Sequence, residues 1–230
     1  MKILSIDTSS SKFSIAIGED RGVVDIFDSN SVNQHSTELV PRISELLKKN
    51  SWNITEIDLF CVGVGPGSFT GLRVGVATMR GFAFALGKRI AGIPSVDAVA
   101  WPIADYKTPV CVMVDAKREN VYARFYNYES GESFLKPKSE VSLYKIDELM
   151  GMIKPPIAFV GDGLVNYRFK LLDKFGSSIK IADPQFWYPR SENLIKVFLD
   201  KVKNKQPYLD DVMALEPYYI YPKDCQIRKK

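Results

Sequence analysis

The chain has 230 residues, 46% of them apolar and 25% charged, with a formal net charge of +4. Such a balance belongs to an ordinary folded protein with room for one large domain or two of about a hundred residues. It excludes an intrinsically disordered chain, and the charge is too mild to name a nucleic-acid partner. Cys61, Cys111 and Cys225 are odd in number and far apart, which suits thiols of a reducing compartment better than a disulfide framework. Asp7 arrives before any signal-like apolar stretch could form, so the protein is expected to be cytoplasmic, with no membrane segment.

In chain order, residues 2–6, 13–17 and 23–27 read as three short strands separated by polar turns. A helix is expected over 36–49, with Leu39, Val40, Ile43, Leu46 and Leu47 on one face and Glu38, Arg42, Glu45 and Lys48 opposite. An apolar strand over 59–64 then runs into Gly63-Val64-Gly65-Pro66-Gly67-Ser68-Phe69-Thr70-Gly71-Leu72-Arg73. Glycines at a strand-to-helix junction permit positive φ and close approach of backbone or ligand. The loop resembles a phosphate cradle without matching its known spellings. No Lys follows Gly71, and Ser68 stands where a dinucleotide fingerprint needs its third glycine. Ser68 or Thr70 is positioned to cap the following helix.

That helix, over 70–86, is apolar almost all round, with Arg73, Thr78 and Arg80 as its only strongly polar residues after Leu72. It is too short to span a membrane. Gly71 and Gly75 lie four apart, as do Ala77, Gly81 and Ala85, and such rows let another helix come close. The helix either packs wholly within its own domain or sets one face on the sheet and the other on a second protein.

A strand over 90–93 follows, then a short helix with Ser95 at its cap and a hinge over 101–109. Beyond the hinge the pattern restarts. A strand over 110–114 ends in Asp115 and the next begins at Val121, six residues on, as Phe13 follows Asp7. A strand over 157–160 leads into Gly161-Asp162-Gly163 and a helix, a weaker echo of the glycine loop. A βββαβα half with a degenerate copy is the plan of a two-lobed actin-like α/β fold, a duplicated ribonuclease H-like unit. The lobes are expected at 1–104 and 105–230, the second with a closing helix over 190–203 and a Tyr- and Lys-rich tail.

Ile3-Leu4-Ser5-Ile6-Asp7-Thr8-Ser9, His35-Ser36-Thr37-Glu38-Leu39-Val40-Pro41, the glycine loop through Arg73 and Asp115-Ala116-Lys117-Arg118-Glu119-Asn120-Val121-Tyr122 together resemble the TsaB (YeaZ) family. The motifs fall in the family's order, and the match weakens from about Ala182. Where the family's tail carries Pro-x-Tyr-Leu-Arg, this chain has Tyr221 in place of the Arg. The resemblance implies a non-catalytic subunit with an actin-like fold that acts with a catalytic paralogue, TsaD, and an ATPase, TsaE. Together they would transfer a threonylcarbamoyl group to the adenosine beside the anticodon of tRNAs reading codons that begin with A. It also implies a helical bundle as the contact with TsaD. We assign that contact to the two helices, through Leu39, Ile43, Leu46, Leu72, Gly75, Met79, Gly81 and Phe82, with a homodimer through the same helices as a further use.

The residues carry little catalytic chemistry of their own. His35 is the only histidine, and Leu39 stands where a second, four residues on, would complete a metal pair. Asp115 is followed by Ala-Lys-Arg-Glu with no glycine to bring backbone amides to a phosphate. Lys117 and Arg118 form either a solvated turn or a phosphate contact. No catalytic residue, cofactor or metal is expected. The alternative is an actin-like ATPase or phosphotransferase with a worn second phosphate loop. Tyr218, Tyr219 and Tyr221 beside Arg228, Lys229 and Lys230 either dock on the domain or stack on bases of tRNA.

Overall fold

The computed structural model describes residues 1–29, 35–129, 135–205 and 209–220. A five-stranded sheet is built from β1 (Ile3–Asp7), β2 (Ser14–Glu19), β3 (Gly22–Asp28), β4 (Leu59–Gly63) and β5 (Arg89–Ile93), in the order β3-β2-β1-β4-β5. The β1–β2 and β2–β3 pairs are antiparallel, and β1–β4 and β4–β5 are parallel. Helix α1 (His35–Lys49) connects β3 to β4, and α2 (Phe69–Leu86) connects β4 to β5.

The second sheet repeats the plan. It contains β6 (Val110–Asp115), β7 (Asn120–Asn127), β8 (Lys136–Pro137), β9 (Ser142–Lys145), β10 (Ile157–Val160) and β11 (Ile179–Ile181), in the order β11-β10-β6-β7-β8, with β9 also on β7. Again the first pair, β6–β7, is antiparallel, and β6–β10 and β10–β11 are parallel. Helices α3 (Ser95–Ala100), α4 (Ile146–Met152), α5 (Leu164–Phe175) and α6 (Ser191–Lys203) complete the molecule. The two Asp-ended strands are therefore equivalent, as expected. Their turns differ by one residue, since Asp7 pairs with Ser14 whereas Asp115 pairs with Val121.

Both faces of the first sheet are covered, which explains its continuous apolar strands. Leu4, Ile6, Ile15 and Ile17 point to α1 and α2, packing with Leu39, Ile43, Val76 and Met79. Ile3, Ala16, Leu59 and Ala91 point the other way, to Leu194, Ile195 and Phe198 of α6. The division near residue 104 separates the two sheets, but the closing helix α6 crosses back to pack on the first one. Val96, Val99 and Ala100 of α3 meanwhile join the core of the second sheet. The lobes are thus interlocked at their connector.

A buried polar cluster marks that junction. Asp97 of α3 is wholly buried, and its Oδ1 accepts from Arg124 Nη1 at 2.9 Å and from Tyr126 Oη at 2.7 Å, both on β7. Lys201 of α6 approaches Asp97 Oδ2 at 3.9 Å. A carboxylate in such a place is tolerated only because the charge is paired and its lone pairs are used.

Candidate functional site: the inter-lobe cleft and the outer face of two helices

The glycine loop joins β4 to α2 beside the β1–β2 turn. Ser68 caps α2 by accepting from the Gly71 amide at 3.3 Å, and Gly87, at φ 63°, closes its far end. Gly65 has φ 100°, a conformation that favours glycine, and the Gly65–Pro66 bond is cis. A β-carbon on Gly63 would overlap the Asp7 carboxylate, and one on Gly67 would overlap the Ser9 carbonyl. The loop needs its glycines because the first turn lies directly on it.

Asp7 is the centre of this contact. Its Oδ1 accepts from the Ser9 amide at 2.8 Å and the Ser9 hydroxyl at 2.6 Å, and its Oδ2 accepts from Ser95 Oγ at 2.6 Å. Ser95 Oγ in turn accepts from the Gly65 amide at 3.1 Å. Ser95 is therefore not the cap expected of it. It opens α3, and its hydroxyl ties the connector to Asp7 and the glycine loop.

Across the cleft, the β6–β7 turn runs through Lys117, Arg118 and Glu119, all at positive φ (63°, 51° and 62°) without a glycine among them. Side chains hold this unfavourable backbone in place. Asp115 Oδ1 accepts from the Lys117 amide at 3.1 Å, and Asn120 Nδ2 donates to the carbonyls of Lys117 and Arg118. Lys117 Nζ lies 2.6 Å from Asp115 Oδ2. Asp162, from the Gly-Asp-Gly turn before α5, accepts the Asp115 amide at 2.9 Å. Burial pushes its carboxyl up to about 6.

The cleft between the turns measures about 520 Å³ and is lined by Ser9 to Ser11, Ser68, Asp115, Lys117, Asp162 and Tyr188, among others. An anion entering it would meet two carboxylates, with Lys117 already paired. The amides of Ser9, Ser68, Lys117 and Gly163 are all engaged within the chain. Those four amides are thus not turned toward the cleft as the amides of a phosphate cradle are. Among the described residues no group of three His, Cys, Asp or Glu side chains is placed to hold a metal. His35 opens α1, but its side chain lies outside the described residues. No helix among the described residues is long and apolar enough to cross a membrane.

Helices α1 and α2 pack side by side, and the structure separates the residues assigned to a partner contact into two groups. Leu39, Ile43, Leu46, Leu72 and Met79 are buried in the chain's own core. Phe82 is half-buried, its ring stacked on Phe60 at 6.0 Å, and Gly75 lies against Thr8. Only Gly81 is open, with nothing within 4 Å of where a β-carbon would sit. On α2 the outward row is Arg73, Ala77, Gly81, Phe84 and Ala85, and Phe84 is 68% exposed. Val40, 48% exposed, lies on the outer side of α1. Between the helices a hollow of about 280 Å³ is lined by Val40, Ile43, Leu47, Trp52, Ile54 and Phe82. The sequence reading set Val40 on the apolar face of α1 and left Phe84 unplaced, because the helical period does not say which phase faces the sheet. The signals available for the outer row were the four-residue spacing of Ala77, Gly81 and Ala85 and the polar Arg73 at its start.

Of the tail, Tyr218 and Tyr219 dock on the molecule, with the Tyr219 ring 5.2 Å from Phe69 and its hydroxyl accepting from Arg73 Nε at 3.1 Å. Tyr221, Arg228, Lys229 and Lys230 lie outside the described residues.

Two sheets with one strand plan, interlocked at a connector and lining a shared polar cleft, define a two-lobed actin-like protein. Residues 26–180, well over half of the chain, match the model of a family described as TsaD: tRNA N6-adenosine threonylcarbamoyltransferase. The chain is 27% identical to the tRNA threonylcarbamoyladenosine biosynthesis protein TsaB of Bacillus subtilis, over 96% of this chain and 94% of that one. It is 29% identical to the Escherichia coli protein of the same name, over 66% of this chain and 68% of that one. The solved structure of YeaZ from Pseudomonas aeruginosa superposes with a TM-score of 0.79 at 18% identity, covering 95% of this chain and 99% of that one. The chain belongs to this family, on its TsaB (YeaZ) side.

Proposed function

We propose that this protein is a non-catalytic subunit in the biosynthesis of tRNA threonylcarbamoyladenosine. It binds a catalytic paralogue, TsaD, through the outer face of α1 and α2, and it meets TsaE and tRNA through the complex so formed. The observation that carries this reading is the open row on α2. Ala77, Gly81 and Ala85 leave a shallow groove beside the exposed Phe84 ring, and small residues in such a row let a second helix approach to the short end of helix-packing distances. With the exposed Val40 on the outer side of α1, Phe84 offers apolar side chains on the same side of the molecule for such a helix to cover. The engaged amides of Ser9, Ser68, Lys117 and Gly163 and the pairing of Lys117 with Asp115 support the non-catalytic part of the reading.

The test is to mix the purified chain with its paralogue and to measure both complex formation and ATP turnover by the chain alone. A complex of fixed stoichiometry with no turnover by the isolated chain is the expected result. Steady turnover that is lost in Asp7→Ala would favour an actin-like ATPase instead. Self-association of the isolated chain that the paralogue displaces would assign the homodimer to the same face.

A further inference from the structure

Residues 209–220 have no helix of their own and only one β-bridge, yet they touch both lobes. At one end Asp210 bridges Ile90 on the free edge of β5, its amide donating to Ile90 O at 3.0 Å and its Oδ2 accepting from the Gly92 amide at 2.7 Å. Arg80 of α2 then grips the segment, donating through Nε to Val212 O at 2.8 Å and through Nη2 to Met213 O at 2.7 Å. Leu215 is buried with the first lobe's core. Next, the Tyr218 amide donates to Val64 O, at the start of the glycine loop, at 2.8 Å. Tyr219 packs on Phe69 and Arg73, the latter lying 3.8 Å over the Phe69 ring. Finally Ile220 packs against the core of the second lobe, and its carbonyl accepts from Tyr122 Oη of β7 at 3.5 Å.

We propose that this segment is a strap that fixes the separation of the two lobes by pinning the glycine loop to both, and that the cleft opens only when Tyr219 leaves Phe69 and Arg73. The geometry gives the strap unequal anchors. Leu215 and Asp210 are set into the first lobe by burial and paired backbone groups, so that end stays down. The crossing itself rests on half-buried Ile220 against Tyr122 in the second lobe and on Tyr219, next to it, against Phe69 and Arg73 of α2; these are the groups able to release first. The proposal is independent of what α2 binds, since it concerns the chain by itself.

Amide hydrogen exchange on the full chain tests it. In Tyr219→Ala, and in a chain ending at Glu216, exchange over 63–68 and 116–122 is expected to rise roughly tenfold, while β1 and β4 keep their protection. Tyr219→Phe retains the ring and should lie near the parent, and Met213→Ala, on the exposed side of the strap, should match it. Unchanged exchange over both segments in Tyr219→Ala and in the shortened chain would overturn the proposal. So would an equal rise over the whole molecule, because that pattern reports global destabilisation and not release of a strap.

Discussion

Gly75 and Thr8 share one space. The wholly buried Thr8 hydroxyl donates to the Gly71 carbonyl at 2.7 Å, and a β-carbon on Gly75 would overlap that same oxygen. Thr8 cannot turn aside without losing its bond, so α2 meets the end of β1 across a hydrogen atom. Six residues on, Gly81 has nothing near its missing side chain. Two glycines of one helix thus have opposite structural reasons.

Gly75→Leu is therefore expected to destabilise the isolated chain by about 1–3 kcal/mol or more, through overpacking and the buried Thr8 hydroxyl pushed off its acceptor, the Gly71 carbonyl. Denaturant unfolding at constant slope checks this. A variant as stable as the parent would mean that α2 can shift away from β1.

The duplicated fold was legible in the sequence because its signals are local. Asp7 and Asp115 end apolar strands before tight turns, and Gly63 to Arg73 has a spelling shared with few other loops. The order of strands and helices and the two-lobed plan followed from those. The phase of α2 was not legible, since Leu72, Met79 and Phe84 are equally apolar and only the tertiary packing sends the first two inward. Nor were the contacts of Ser95 with Asp7, or of Tyr219 with Phe69, because each joins residues far apart in sequence. The α6 helix reads as a closing element of the second half, yet its apolar face finds the uncovered side of the first sheet.

Asp97→Ala should cost about 3–5 kcal/mol, because it leaves the Arg124 guanidinium buried with its carboxylate gone and the Tyr126 hydroxyl without its acceptor. Asp97→Asn keeps an acceptor and should cost less. Equilibrium unfolding of both variants checks the order. Equal stability of Asp97→Ala and the parent would show that the cluster does not hold the lobes.

The Asp162 carboxyl, raised to about 6 by burial, keeps a proton in the folded chain at pH values where the unfolded chain has lost it. Its contribution to stability therefore falls as the pH rises from about 4 to about 6, and above that window the buried charge is a constant cost. Asp162→Asn can still accept the Asp115 amide. It should flatten this part of the stability profile and raise stability at neutral pH by about 1–2 kcal/mol. A variant whose profile between pH 4 and 6 overlays the parent's would contradict the assignment.

The central claim is that the outer face of α2 receives the catalytic paralogue, and Gly81→Leu tests it most directly. With open space at Gly81, the substitution is expected to leave the melting temperature within about 2 °C of the parent, as a surface change does. A leucine there would fill the groove between Ala77 and Ala85 and hold a partner helix off. Overpacking of about 1–3 kcal/mol would weaken binding roughly ten- to a hundredfold. The measurement is titration of the paralogue with parent and Gly81→Leu chains of matched stability. An affinity lowered by that factor is the predicted result. An unchanged affinity for the folded variant would contradict the account and move the interface to another face of the molecule.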